Sequence, residues 1–302
     1  MDLEGLFANV AHALQAELAA FERLEGGSSA NVWRLDLRED DAVRPVVFRQ
    51  HRARGLKEHD AGIAGKEYRL LGRLYEMGFP VARPLYLDEA NRLLVTEFID
   101  GDVAVAPENV GTAIEHMADL LVRIHSLDVR LVDDAGLMPL EDPLERLVTC
   151  LPATPHSERL GSLLSTGDVM VHANPSVLIH GDYWPGNILW ANDTIAALID
   201  WEDACLGDPL ADLACARVEL LCQHGSAAMD DFTIRYLDHS GHLDTRSLCI
   251  WECYVSATAL ESMHLWGLDS EEESRRRALT QSFFNEAVDS SGQHNATFRR
   301  RT

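Results

Sequence analysis

The sequence predicts an α+β protein, in which a small antiparallel sheet with one helix precedes a larger, mainly helical part. Over the first hundred residues, short apolar runs typical of strands alternate with one helical pattern. From about residue 108 the apolar spacing becomes helical, and a strand–turn–strand element at 177–199 interrupts it once. We therefore expect an N-terminal lobe at 1–98, a C-terminal lobe at 99–290 and a tail without secondary structure at 291–302.

The elements of the first lobe follow from their spacing and their turn residues. The opening segment 1–24 carries apolar residues at helical spacing, namely Leu6, Val10, Leu14, Leu18 and Phe21. A helix is predicted at Gly65–Met77, because its apolar positions recur at helical intervals and Gly78 and Pro80 follow it. The predicted strands are Asn31–Leu37, Pro45–Gln50, Leu85–Leu87 and Arg92–Phe98.

The second lobe is predicted to be mainly helical. The predicted helices are Gly111–His125, Leu144–Leu151, Glu158–Leu164, Asp212–Cys222 and Ser247–Trp266. Strands are predicted at Val177–His180, Asn187–Trp190 and Ile195–Ile199. Asp208 followed by Pro209 is typical of a helix start, with the aspartate as the N-cap.

Composition limits the classes of partner. The 26 basic and 49 acidic residues give a formal charge of -23, which repels phosphate backbones and anionic lipids. We therefore expect no nucleic-acid partner and no membrane partner. The six cysteines form no CxxC pair and follow no leader segment, which predicts reduced packing residues in a cytoplasmic protein. Nothing in the composition favours a monomer over an oligomer.

The stretch VLIHGDYWPGNILW at 177–190, with AALIDWE at 196–202, holds the strongest chemical signal. If the turn lies near Asn192, antiparallel pairing joins residues whose numbers sum to about 385, so that Asn187 and Asp200 should converge. An amide oxygen and a carboxylate suit Mg²⁺, which takes its remaining ligands from water and phosphates. Asp182 would then face the group that attacks a metal-bound phosphate, as phosphoryl transfer requires.

These motifs resemble a known family. HxDxxxxN with a later metal-binding aspartate is similar to the catalytic elements of the protein-kinase-like superfamily, and HGDYWPGN, IDWEDA and GDPLADLA resemble the aminoglycoside phosphotransferase family. The resemblance implies a two-lobed protein-kinase-like fold and a small-molecule kinase that uses ATP and Mg²⁺. It also implies that Asp182 is the catalytic base, that Asn187 and Asp200 hold the metal, and that an aspartate of the last motif steadies the catalytic loop.

The same resemblance assigns nucleotide contacts to the first lobe. Ser28 and Ser29 lie in GGSSANV, where the family covers the phosphates, and the Glu97 carbonyl and Ile99 amide correspond to the adenine contacts. The family's strand lysine has no counterpart, since Lys57 and Lys66 are the only lysines and neither lies on that strand.

Arg49 on the PVVFRQ strand is the substitute that we predict for this lysine. Glu67 shares a helix face with Leu71 and Leu74, so its carboxylate should point inward and needs a cationic partner. We expect Arg49 to pair with Glu67 and to hold phosphates, because a guanidinium binds both kinds of oxygen bidentately. The alternative is an ordinary surface arginine on an edge strand.

Several functional alternatives remain at this stage. A nucleotide-binding pseudokinase would use the same fold without transfer, whereas a metallohydrolase with His180 and Asp182 as ligands would need a second ligand cluster. A buried hairpin followed by a capped helix would need no chemistry at all. The acceptor is predicted to be a small-molecule hydroxyl of aminoglycoside, macrolide or choline type. Candidate acceptor contacts are Glu202, Asp203, Trp251, Tyr254, Glu261 and His264, although Trp251 and Tyr254 also fit a helix core.

Overall fold

A computed structural model of the chain describes residues 3–24, 30–52, 62–103, 109–151, 154–164, 171 and 173–298. Within this part the helices are α1 (Leu3–Ala13), α2 (Ile63–Glu76), α3 (Val110–His125), α4 (Pro143–Cys150), α5 (Pro155–Leu164), α6 (Leu210–His224), α7 (Ser226–His239), α8 (Leu248–Ser262) and α9 (Ser270–Phe298). The strands are β1 (Glu17–Arg23), β2 (Ala30–Glu39), β3 (Ala42–His51), β4 (Pro84–Asp88), β5 (Leu93–Glu97), β6 (Val177–Ile179), β7 (Ile188–Ala191), β8 (Thr194–Leu198) and β9 (Cys205–Gly207). No described helix is both long enough and apolar enough to cross a membrane.

The chain divides into two compact units. The first comprises Met1–Val103, Arg130–Leu137 and Ile188–Glu202, and the second comprises Ala104–Val129, Met138–Asn187 and Asp203–Thr302. The first unit therefore includes the β7–β8 hairpin, which lies in the segment that the sequence analysis gave to the C-terminal lobe.

An antiparallel sheet in the order β1-β2-β3-β5-β4 forms the centre of the first unit. Alternation along β3 places Val46 and Phe48 on one face, where they pack in a core with Phe7 and Val10 of α1. Arg49 differs from Phe48 by one position and so lies on the opposite face, toward α2. Because β3 pairs with β2 on one side and with β5 on the other, Arg49 lies on an inner strand and not on an edge strand. The alternation along β3 determines the face on which it lies.

The opening segment differs from its predicted helical pattern after residue 13. The chain turns at Gln15, whose φ is 58°, and Leu18 and Phe21 then lie on β1, opposite Leu37 and Leu35 of β2. Hydrogen bonding to β2 outweighs the local helical spacing here. Residues three positions apart point to opposite faces of a regular strand, and the register shift between Leu18 and Ala20 changes this alternation.

The second unit is mainly helical, as predicted. Helix α6 begins at Leu210, and Asp208 accepts a hydrogen bond from the Leu210 amide at 3.0 Å, so the predicted capping aspartate caps the helix. Two helices, α7 and α9, were not individually predicted. The prediction of a tail without secondary structure from residue 291 is wrong over its first residues, since α9 continues to Phe298. The five cysteines whose side chains the structure describes, Cys205, Cys215, Cys222, Cys249 and Cys253, are free thiols.

Candidate active site

A cluster of charged side chains lies in the first unit, and we call it the Arg49 cluster. Its members are Arg49, His51, Glu67, Asp200 and Glu202. Arg49 and His51 are two positions apart on β3 and therefore point to the same face of the sheet. The cluster brings together an arginine and a histidine of one strand with carboxylates from α2 and from the segment after β8.

The guanidinium of Arg49 contacts all three carboxylates of the cluster. Its Nη2 donates to Asp200 and lies 3.0 Å from Oε2 of Glu202, while Nη1 lies 3.5 Å from Oε1 of Glu67. Burial lowers the pKa of Arg49, but the three carboxylates outweigh this effect and raise it. Burial by itself raises the pKa of Glu67, but Arg49 and His51 outweigh this effect and bring the pKa below its usual value. Arg49 is therefore a fixed cation on the α2 face and not a surface arginine.

His51 contacts two of these carboxylates through its two ring nitrogens. Nδ1 lies 3.1 Å from Oε2 of Glu202, and Nε2 lies 3.1 Å from Oε2 of Glu67. The second contact is an ion-pair distance without good hydrogen-bond angles. The side chain of His51 is 2% exposed. Sequence analysis did not identify this residue, although strand alternation from Arg49 could have placed it on the same face.

Glu202 corrects one expectation about the acceptor. The sequence analysis grouped it with candidate acceptor contacts, but its side chain is 4% exposed and pairs with Arg49 and His51. Its main-chain carbonyl accepts a hydrogen bond from Nζ of Lys66 at 2.6 Å. Lys66, which is next to Glu67 on α2, therefore contacts the main chain of a cluster residue.

Asp200, the predicted metal ligand of this unit, has an uncommon backbone conformation. Its φ is 68°, in the left-handed region that aspartate tolerates better than most residues. It lies two residues after the end of β8, and its side chain is 24% exposed, more than those of Glu67 and Glu202. A carboxylate with this exposure suits a cation that keeps part of its water shell.

The register of the β7–β8 hairpin confirms the predicted pairing. Ile188 pairs with Leu198 and Ala191 with Thr194, so the residue numbers sum to 386 and 385. Asn192 and Asp193 form the turn with φ values of 49° and 61°, as a two-residue type I′ hairpin requires.

The loop that carries the predicted catalytic base, Asp182, lies in the second unit, between β6 and Asn187. Asp212 of α6 accepts the main-chain amide of His180 at 2.8 Å and that of Gly181 at 2.9 Å. Asp212 also contacts His125 at 3.1 Å, and His125 contacts the Tyr236 hydroxyl at 2.7 Å. A buried carboxylate therefore fixes the start of the loop, in the position that the family resemblance gave to a steadying aspartate.

Asp182 is held by donors from its own loop. Nδ2 of Asn187 donates to Oδ2 and to the main-chain carbonyl of Asp182, both at 2.9 Å, and Nε1 of Trp184 donates to Oδ2 at 3.3 Å. The thiol of Cys215 lies 3.9 Å from Oδ1, and burial raises the pKa of Cys215 with a further contribution from Asp182. The carboxylate therefore has a fixed orientation before any substrate binds.

The orientation of Asn187 bears on its predicted role as a metal ligand. Because its amide nitrogen donates to Asp182, its carbonyl oxygen is the atom that it can offer to a cation. Amide and carboxylate oxygens form the hard donor set that Mg²⁺ prefers, so Asn187 and Asp200 each fit the metal chemically. Within the described ranges no group of three or more His, Cys, Asp or Glu side chains could hold a metal ion.

The remaining predicted nucleotide contacts lie at the end of β5 or outside the described residues. Glu97 ends β5, and its carboxylate accepts the Arg83 amide at 3.0 Å. Ile99 follows in the connecting segment. Ser28 and Ser29 lie outside the described residues. Trp251 is fully buried in α8 and belongs to the helical core.

A family model described as "Phosphotransferase enzyme family" matches residues 20–248. Among solved structures, a macrolide 2'-phosphotransferase type I is 18% identical with a TM-score of 0.66, over 91% of this chain and 95% of that one. The GDP complex of aminoglycoside 2'-phosphotransferase-IIIa is 18% identical with a TM-score of 0.66, over 94% and 98%. Choline kinase LicA from Streptococcus pneumoniae is 16% identical with a TM-score of 0.65, over 94% and 99%. These likenesses confirm the predicted fold class.

Curated relatives match a shorter region. Acyl-CoA dehydrogenase family member 11 from Pongo abelii is 26% identical over 176 residues, which are 49% of this chain and 22% of that protein. Acyl-CoA dehydrogenase family member 10 from Mus musculus is 26% identical over 196 residues, covering 57% and 18%. The chain thus spans about a fifth of the length of these relatives.

Proposed function

The chain belongs to the phosphotransferase enzyme family, as its motifs predicted, and from that premise we propose that it transfers the γ-phosphate of ATP to a hydroxyl of a small molecule. The observation that carries the proposal is the fixed carboxylate of Asp182, which accepts hydrogen bonds from Asn187 and Trp184. In phosphoryl transfer a positioned carboxylate of this kind orients the attacking hydroxyl and accepts its proton.

Asn187 and Asp200 are the residues proposed to hold Mg²⁺. The donor atoms are a carbonyl oxygen and a partly exposed carboxylate, which together suit a hard cation. When bound, the metal would offset the charge of the phosphates. The GDP complex and the complex with AMP-PNP and Ca²⁺ among related structures support a nucleotide and a divalent ion for this chain.

Arg49 is proposed to orient the phosphates in place of the usual lysine. Its contacts with Glu67 and Asp200 hold the planar guanidinium beside the proposed metal ligand. Ser28, Ser29, Glu97 and Ile99 complete the proposed nucleotide contacts, and for Glu97 and Ile99 these come from the main chain.

The acceptor is proposed to be a cationic or polar small molecule with a free hydroxyl. Related structures are described as complexes with kanamycin and with amicoumacin, and another as a choline kinase. The formal charge of -23 favours a cationic acceptor through long-range attraction. We therefore propose aminoglycoside-, macrolide- or choline-like acceptors.

The test is ADP release from MgATP across a panel of aminoglycosides, macrolides, choline, homoserine and sugars. Asp182→Asn keeps the shape of the side chain but removes its basicity, so turnover should fall about 10²- to 10⁴-fold while MgATP still binds. Arg44→Met, which removes an exposed ion pair with Glu39, is the control that should keep wild-type turnover. ATP binding without turnover on any acceptor would instead support the alternative, a regulatory pseudokinase.

A further inference from the structure

We propose that His51 is held as an imidazolium between Glu67 and Glu202, and that this second cation positions Arg49 for phosphate binding. The consequence for phosphates rests on the proposed function, whereas the charge state of His51 does not.

The two ring contacts of His51 determine which of its nitrogens must carry a proton. Both ring nitrogens of His51 lie 3.1 Å from carboxylate oxygens, Nδ1 from Glu202 and Nε2 from Glu67. An ionised carboxylate only accepts hydrogen bonds, and a neutral imidazole has a single N–H. A neutral ring would therefore turn one lone pair toward a carboxylate, so only the imidazolium satisfies both neighbours.

The ionisation of those carboxylates depends on Arg49. Arg49 lies 3.0 Å from Glu202 and 3.5 Å from Glu67, which favours the carboxylate form of both. Burial and the charge of Arg49 lower the pKa of His51, but its contacts with Glu202 and Glu67 outweigh both and raise the pKa above 6.5. The charge state that the geometry requires is therefore also the one that the surrounding charges favour.

The balance of charge around Arg49 depends on His51. The two positive charges of Arg49 and His51 equal the two negative charges of the buried Glu67 and Glu202. The cations are therefore balanced without the charge of Asp200, which is more exposed. If His51 were neutral, Arg49 would have to balance both glutamates and would be drawn away from Asp200. His51 thus acts on phosphates through Arg49 and is a positioning residue.

The other groups around His51 are cations held by main-chain oxygens. Nζ of Lys66 donates to the carbonyl of Glu202 at 2.6 Å, and Nε of Arg92 donates to the carbonyl of His51 at 3.2 Å. The His51 amide donates in turn to the Arg92 carbonyl at 3.0 Å, which fixes the end of β3. The cation that lowers the pKa of His51 is Arg49, whereas the two carboxylates that contact its ring raise it.

The expected pH dependence follows from this arrangement. Below the raised pKa of His51 the ring carries its proton and Arg49 keeps its position. As the pH rises through that pKa the proton is lost, and one glutamate must turn toward Arg49. Affinity for nucleotide should therefore be highest on the acid side and should fall as the pH rises.

The first experiment measures binding of MgADP and MgATP by calorimetry at about pH 6 and about pH 8.5. Wild type should bind about tenfold more weakly at the higher pH, and His51→Gln should bind weakly at both values. His239→Gln, which changes a half-exposed histidine paired with Asp119 on the surface, is the matched control and should follow wild type. Equal affinity of wild type and His51→Gln at both pH values would overturn the proposal.

The second experiment needs no nucleotide. Ring resonances of His51, assigned by their loss in His51→Gln, are followed by NMR against pH together with the Arg49 Nε signal. A ring that titrates above 6.5, with an Arg49 signal that follows it, supports the proposal even if no nucleotide binds, and the proposed function alone then fails. A ring that is neutral at pH 6.5, or an Arg49 signal that does not respond, overturns it.

Discussion

At the scale of single residues, the guanidinium of Arg49 explains how one side chain serves several carboxylates. Nη2 contacts Asp200 and Glu202, and Nη1 faces Glu67, because the planar group carries its donors in a fixed fork. A lysine at this position would carry its three donors on one nitrogen. Arg49 can therefore contact Glu202 in addition to Glu67 and Asp200.

Substitutions of Arg49 should separate charge from geometry. Arg49→Lys keeps a cation but loses part of the fork, and should lower the free energy of unfolding by about 1–2 kcal/mol. Arg49→Met leaves two buried carboxylates with a single nearby imidazolium and should cost about 3–5 kcal/mol. Urea unfolding measures both, with Arg44→Met as the exposed control from the same strand. Equal losses for Arg49→Met and Arg44→Met would contradict a buried role for Arg49.

Gly181 allows the loop to pass Asp203 before it reaches Asp182. Its φ is 87°, and a Cβ here would lie 2.5 Å from the Asp203 carbonyl oxygen. Gly181→Ala should therefore destabilise the protein by at least about 2 kcal/mol and displace the loop that carries Asp182. Gly161→Ala on α5 meets no atom within 4 Å and should stabilise by about 0.5–1 kcal/mol. Thermal unfolding of both variants tests the prediction, and loss of stability in both would count against it.

At the scale of elements, the β7–β8 hairpin depends on its two turn residues. Asn192 and Asp193 both have positive φ, which glycine adopts readily and β-branched residues do not. Asp193→Gly should therefore raise the free energy of unfolding by about 0.5–1 kcal/mol, and Asp193→Val should lower it by about 1–2 kcal/mol. Denaturant titration of the pair checks the prediction, and a loss in both variants would point to a contact of the aspartate side chain instead.

Elements whose own apolar spacing and turn residues mark them could be predicted from the sequence. Elements that depend on contacts with distant parts of the chain could not. The helix at Ile63–Glu76 and the pairing of β2 with β3 follow from apolar period and turn residues. Helix α9 was missed although Phe283, Phe284, Ala287 and Val288 form a buried apolar stripe in its second half. In its first half the pattern is harder to recognise, because the buried Arg276 pairs with Glu219 at 2.8 Å.

The same distinction applies to the site. Asp182, Asn187 and Asp200 were named from motif spacing, and the proximity of Arg49 to Glu67 followed from an inward carboxylate that needs a cation. Strand alternation places His51 on the face of Arg49, but neither its contact with Glu202 nor the burial of Glu202 could be predicted from local spacing. Each depends on a contact between chain segments about 150 positions apart, and no local pattern reports such a contact.

At the scale of the whole molecule, the charge of -23 should oppose folding through self-repulsion. Raising NaCl from about 20 mM to about 300 mM shortens the screening length and should raise the free energy of unfolding by about 1 kcal/mol. Urea unfolding at each salt concentration measures this, and tetramethylammonium chloride at equal ionic strength controls for specific cation binding. A stability that falls with both salts would contradict the prediction.

Arg49 also limits which chemical reagents can report on this protein. Nucleotide analogues that acylate an amine beside the phosphates depend on a nucleophilic lysine, and a guanidinium stays protonated and inert at neutral pH. Proteome-wide profiling with such reagents would therefore obtain no label at position 49. Any label would fall on one of only two lysines in the sequence, and peptide mapping would show at once which of them had reacted.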